Sequence, residues 1–234
     1  MNRLFDIEGP LFTTLTRIAD LFILNFLFII CCLPVFTIGA SVSALYYVTM
    51  KMAADEDCYT VKGFFKAFKD NFKKSTIIWF IDAFVGISLF IDYKIIRGDY
   101  GKIFNPESKF TNVMFILFLL ASIIWIYATL YVYPIQAKFE NTIKNTIVNA
   151  LYMSILNLPK TLIIVIITAF PWVIMYYVER AVVFYVIVFS VVAYMNSFIF
   201  VRIFRVYENK VEITKDENFT VQFDDADTEK SKKE

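Results

Sequence analysis

Asp82 is the one ionisable side chain well inside an apolar run: residues 75–91 hold no other Asp, Glu, Lys or Arg. It lies eight residues beyond Lys74, roughly 12 Å along a helix. A carboxylate at that depth in hydrocarbon is costly and raises a functional hypothesis by default. It has the chemistry to bind a proton, a cation or a polar ligand. The structural alternative is a helix-packing bond to Asn25 or to a tyrosine hydroxyl. No second acid, base or metal-ligand set accompanies it for general acid–base work. The chain contains no histidine, which removes Ser-His-Asp and Cys-His catalysis, His-ligated zinc and a haem proximal ligand. Cys31, Cys32 and Cys58 follow no zinc or redox spacing. Six scattered glycines cannot build a phosphate loop or a dinucleotide fingerprint. The sequence therefore predicts no catalytic residue, no metal site, no cofactor and no enzyme. Its intramembrane polar candidates are Asp82 and Asn25.

Two amphipathic stretches supply a second kind of candidate. In 62–74, Phe64, Phe65, Phe68 and Phe72 recur at helical spacing, with Lys62, Lys66, Lys69, Asp70 and Lys73 mostly away from them. In 139–156, Ile143, Ile147, Ala150, Leu151, Ser154 and Ile155 keep the same spacing. Each reads as a helix with one apolar stripe. Such a helix either rests in the inner leaflet with its lysines toward anionic lipid or docks a cytoplasmic partner. The docking reading takes Phe64, Phe65, Phe68, Phe72, Ala150, Leu151, Ile155 and Pro159 as the contact residues.

Something must hold these residues in place, and the composition says what. Of 234 residues, 59% are hydrophobic, 18% aromatic and 19% charged. Soluble domains run about 45–50% apolar and about 25% charged. A net charge of +1 gives no bulk attraction to nucleic acid. Charge-free runs cover 21–50, 110–137, 161–178 and 181–201. A run of about 18–20 such residues crosses the hydrocarbon as a helix. Together with the run around Asp82 they predict five spans, near 17–36, 75–96, 110–134, 160–178 and 181–201. The fold class is all-α, a polytopic helical membrane protein. An alternative has six spans: Leu33-Pro34-Val35 is rich in helix breakers, and 37–54 would then form a short extra span. There Gly39/Ser43 and Ala40/Ala44 give the small-xxx-small spacing that lets helices pack closely.

Connections 51–74, 135–160 and 202–234 hold 16 Lys and Arg, against 7 in 1–20, 92–109 and 179–180. The positive-inside rule then places the amino terminus outside and the carboxyl terminus inside. Glu179-Arg180 would be a tight outer turn. Residues 1–205 form a single helical membrane domain, and 206–234 are a charged cytoplasmic tail expected to be disordered.

The domain also reads as two parallel repeats, about 17–97 and 110–178, followed by the final span. Apolar helices ending in Pro34 and Pro134 open the two units, and 60–75 aligns without gaps on 146–161. Thr60/Thr146, Asn71/Asn157 and Lys74/Lys160 match in that alignment.

The run Leu33-Pro-Val-Phe-Thr-Ile-Gly39 with Ala44-Leu45-Tyr46, then Phe65 to Lys73, then Asn149-Ala150 and Asn157-Leu158-Pro159-Lys160-Thr161 resembles the YesL family of bacterial membrane proteins. The resemblance covers roughly 5–205. It implies a multi-pass protein of the bacterial cytoplasmic membrane, with no established catalytic residues. Its members are often encoded beside carbohydrate-uptake ABC transporters and polysaccharide-degrading enzymes, which implies a role in sugar acquisition. Ile155-Leu156-Asn157-Leu158-Pro159 is also similar to the loop by which ABC permeases dock their ATPase, which commonly ends Ile-x-Leu-Pro. This chain is one residue longer there and lacks the acidic-Ala-Ala opening and the loop glycine. The expected partners are the lipid bilayer and an ABC permease or ATPase subunit. The expected function is a non-enzymatic accessory role in carbohydrate uptake; the alternative is a self-contained small transporter or channel using Asp82.

Overall fold

A computed structural model describes residues 10–97, 109–177 and 187–208. Among the described residues seven helices follow in order, with no strand. They are α1 (Pro10–Cys32), α2 (Ile38–Ala53), α3 (Thr60–Arg97), α4 (Lys109–Lys138), α5 (Ile143–Leu156), α6 (Leu158–Tyr177) and α7 (Ile187–Glu208). Four stretches are long and apolar enough to cross a membrane: Thr14–Cys32, Thr60–Ile96, Lys109–Lys138 and Ile187–Glu208. Ile143–Leu156 and Leu158–Ile174 qualify only as a pair, bent by 102° at the break. The protein is thus an all-α, multi-pass membrane protein, with four candidate spans among the described residues, or five if the bent pair counts as one. Of the expected span 181–201 the structure describes the part from Ile187, and the helix there continues to Glu208, past the expected start of the tail at 206. The Glu179-Arg180 turn and the tail from 209 lie outside the described residues.

Pro34 ends α1, because a proline pushes the residue before it out of helical conformation. A 3₁₀ turn at Val35–Thr37 follows. The Thr37 hydroxyl donates to the carbonyl oxygens of Cys31 and, at 2.6 Å, Pro34, satisfying acceptors that a helix end leaves open. The chain then doubles back as α2. Arg17 pairs with Asp55, and Thr60 donates to Asp20 at 2.8 Å, so α1 and α2 are antiparallel. Asp55, at φ 57°, takes the left-handed conformation just beyond α2, which Asp tolerates better than most residues.

Helix α2 is the centre of the bundle. Ala40, Ala44 and Val48 have no exposed surface. A Cβ on Gly39 would lie 2.4 Å from the Ser75 carbonyl oxygen and 2.8 Å from Trp79 Cβ, so α2 and α3 meet there backbone to backbone. Ser43 and Ser75 share a hydrogen bond of 3.0 Å one turn on. The Gly39/Ser43 spacing thus faces α3, as small-xxx-small packing requires. The helix of the six-span reading therefore exists. At 16 residues it is shorter than the roughly 20 that cross hydrocarbon.

Buried polar bonds tie the remaining helices to this core. Ser197 on α7 donates to Thr49 on α2 at 2.8 Å. Asn196 donates to Thr168 of α6 at 3.0 Å, and Tyr131 of α4 bonds Thr161 of α6 at 2.8 Å. Gln136 of α4 donates to Asn71 of α3 at 3.0 Å and accepts from Thr146 of α5 at 3.3 Å.

Three expectations change. The stretch 62–74 is no separate surface helix: α3 runs unbroken for 38 residues, about 57 Å at 1.5 Å per residue. No proline lies in 60–97 and no glycine between Gly63 and Gly86, and a change from charged to apolar residues does not interrupt backbone bonds. Second, Pro134 lies inside α4, which continues to Lys138, whereas Pro34 ends α1. Third, the aligned stretches 60–75 and 146–161 adopt different shapes. Asn71 is within continuous α3, but Asn157 stands at the break between α5 and α6.

Candidate functional site

Helices α3 and α4 form an antiparallel pair, and Asp82 sits at their contact. Three side chains of α4 converge on it. Trp125 Nε1–H donates to Oδ1 at 2.8 Å, and the Thr129 hydroxyl donates to the same oxygen at 2.6 Å. The Tyr133 hydroxyl reaches Oδ2 at the longer distance of 3.5 Å. Positions 125, 129 and 133 fall at i, i+4 and i+8, one stripe of a helix. The carboxyl group receives three bonds from α4. Oδ1 is fully engaged, and Oδ2 is held by one long contact.

Glycine permits this arrangement. A Cβ on Gly86 would lie 2.8 Å from Trp125 Cζ2. The bare backbone of α3 one turn past Asp82 is thus the shelf on which the indole lies.

The carboxylate opens on a cleft of about 380 Å³ between α3, α4 and α5. Apart from Asp82, Thr129 and the indole N–H, its walls are aliphatic: Ile78, Ile81, Val85, Ile124, Val132 and Leu151 are among them. The lip residues Ile81, Val85 and Ile124 are exposed. No group of three metal-ligating side chains occurs among the described residues.

Of the partners expected for Asp82, the tyrosine hydroxyl is present as Tyr133, and Asn25 is elsewhere. Asn25 is fully buried between α1 and α7, where its Oδ1 accepts from the Ser190 backbone N–H at 3.1 Å. Trp125 and Thr129 were not singled out by the sequence reading. Their i, i+4, i+8 series with Tyr133 inside an apolar run was the available signal.

The docking candidates divide. Phe64 and Ala150 have no exposed surface, and Phe68 packs against the core. Phe64 and Ala150 are thus closed to a partner, Phe68 is half-buried, and the lysines of α3 lie outward. Phe65 (48% exposed), Phe72, Ile155 (56%) and Pro159 are open. Leu151 lines the Asp82 cleft. Helix α5 carries two apolar faces instead of the expected one. Ile143, Ile147, Ala150 and Met153 face the core, while Val148, Tyr152 and Ile155 form an outward stripe.

A second cleft, about 370 Å³, lies where the ends of α2, α4 and α7 meet. Its charges are largely self-paired: Lys138 with Glu208 at 3.2 Å and Lys51 with Glu56 at 3.9 Å.

Residues 21–93, less than half of the chain, match a family described as “Protein of unknown function, DUF624”. The match spans the second half of α1, all of α2 and α3 up to Tyr93, and so includes Asp82 but not its three donors. No curated protein and no solved structure matches the chain.

Proposed function

We propose that this chain is a YesL-like, non-enzymatic accessory component of carbohydrate uptake in the bacterial cytoplasmic membrane, docking a permease or ATPase subunit of an ABC transporter. The family match supports the resemblance, since the YesL family carries that domain. The observation that carries the docking reading is α5. It is a short helix turned 102° from α6, with Val148, Tyr152 and Ile155 bare on its outer side and the Ile-to-Pro motif at the turn. A helix lying across the direction of its neighbouring span, with an uncovered apolar stripe, suits helix-in-groove recognition. The exposed Phe65 and Phe72 of α3 extend the surface; Phe64 and Ala150 are excluded from it by burial.

The test is affinity purification of a tagged copy from its native membrane in mild detergent. Wild type brings down an ABC permease or ATPase in stoichiometric amount. The double variant Tyr152→Asp/Ile155→Asp inserts normally but loses that subunit. Recovery of wild type alone overturns the reading.

A second reading, a small self-contained transporter or channel, is favoured by the intramembrane carboxylate at the cleft. It requires Asp82→Asn to abolish solute flux in proteoliposomes, and unchanged flux ends it.

A further inference from the structure

We propose that the Asp82 cleft is a binding site for an organic ammonium ion carrying an apolar body. The inference takes up the Asp82 reading and names its ligand chemistry, but it does not require flux.

The first argument is charge. Asp82 has three neutral donors, and among the described residues no lysine or arginine forms an ion pair with it. Lys74, the next cation back along α3, is eight residues away and is spent on the Asn141 carbonyl at 3.1 Å. An unbalanced carboxylate within a span favours a cation delivered from outside.

The second argument is the number of oxygens. A hard metal cation asks for about six or more oxygen ligands. The cleft offers the Asp82 carboxylate and the Thr129 hydroxyl, with largely aliphatic walls on the other sides. A sugar fares no better, because its several hydroxyls would meet isoleucine, valine and leucine. An ammonium group needs one anionic acceptor, and the Asp82 carboxylate in the cleft wall supplies it.

The third argument is the wall itself. Trp125 lines the cleft beside the carboxylate, and an indole face attracts an ammonium by cation–π interaction. The volume of about 380 Å³ is at the lower end of ligand pockets, roughly 300–1,000 Å³, so a small alkyl or aryl body fits. The exposed lip of Ile81, Val85 and Ile124 lets such a ligand enter from the bilayer with its apolar part leading.

The experiment uses Trp125 as reporter. The full chain, carrying Trp79→Phe and Trp172→Phe so that Trp125 is the remaining tryptophan, is reconstituted in zwitterionic lipid vesicles. It is titrated with three brominated probes of equal chain length: an alkylammonium, an alcohol and a carboxylate. The ammonium quenches Trp125 with a saturating isotherm, while the other two quench weakly and linearly, as partitioning alone requires. Asp82→Asn weakens the saturating component by about tenfold or more, and Asp82→Glu retains it. Circular dichroism and elution volume establish that both variants are folded. If neither variant folds, the lip variant Val85→Phe, which fills the cleft mouth and leaves the carboxylate and its donors in place, must remove the ammonium-selective saturation. Equal quenching by all three probes, or saturation that survives Asp82→Asn, overturns the proposal. Binding and transport separate cleanly. Saturable ammonium binding without flux keeps this inference and ends the transporter reading. Flux that depends on Asp82 without ammonium binding does the reverse.

Discussion

At the residue scale the account rests on one carboxylate and its three donors. Each hydrogen bond between membrane helices contributes about 0.6–2 kcal/mol, so trimming single donors gives graded effects. Thr129→Val, a near-isosteric change at the 2.6 Å bond, should lower stability by about 1 kcal/mol. Trp125→Phe, which removes the 2.8 Å donor and some packing over Gly86, should cost somewhat more. Both are measured by thermal unfolding in detergent. The decisive comparison is the cycle with Asp82→Leu, which is of similar size and has no acceptor: the cost of Thr129→Val should largely vanish in that background. Additive losses would mean that the hydroxyl does not serve the carboxylate. Asp82 itself was legible in the sequence, since a lone acid in an apolar run declares itself. Its partners were not, because they depend on the register between α3 and α4, which Gly86 helps to set by admitting the indole.

At the element scale the packing of α2 was written in small residues. Gly39 and Ser43 stand one helical turn apart and meet Ser75, as their spacing predicts. A methyl group at position 39 would collide with backbone, which cannot move aside as a side chain can. Gly39→Ala should therefore destabilise the fold by about 1–3 kcal/mol, read as a drop in Tm with unchanged helix content at low temperature. A stability equal to wild type would show that α2 and α3 are not in close contact. Other elements were harder to read. The charged and apolar halves of α3 suggest two helices, yet no breaker lies between them. Pro134 looks like a terminus but sits within α4, where neighbouring helices can satisfy the freed backbone group. The two-faced character of α5 was hidden because Val148 and Tyr152 fall outside the stripe defined by Ile143 and Ile147. An apolar outward face has no signature in the helix's own periodicity.

At the scale of the whole molecule the sequence announced a multi-pass helical membrane protein, and the fold agrees. Span counting was less secure because two features defeat a hydropathy window. One is α2, apolar but buried and short. The other is the bent pair α5 and α6, one apolar stretch in sequence and two directions in space. Because α2 returns beside α1, with Asp55 at Arg17 and Thr60 at Asp20, the start of α1 and the 51–60 connection lie on one side. An outside amino terminus therefore does not go with a cytoplasmic 51–74 connection. A cytoplasmic 51–74 connection, as its lysines predict, is checked with Cys58. Burial raises its thiol above the ordinary cysteine range, with Lys51 partly opposing. The thiolate is the reacting form, so a membrane-impermeant maleimide should label Cys58 slowly at neutral pH and faster as pH rises. Labelling should occur in inside-out vesicles and be absent from intact cells. The reverse pattern would invert the topology and remove the lysine-rich half of α3 from the cytoplasm.

The most direct test of the docking claim replaces Ile155 with a photo-crosslinking phenylalanine analogue in the native membrane. Position 155 is exposed, lies on the outer stripe of α5 and adjoins the turn into α6. Illumination should yield one discrete adduct containing an ABC permease or ATPase subunit, and the same analogue at lipid-facing Phe84, which is exposed on α3, should not. If both positions yield only lipid adducts, α5 rests against the bilayer and the chain is not a docking subunit.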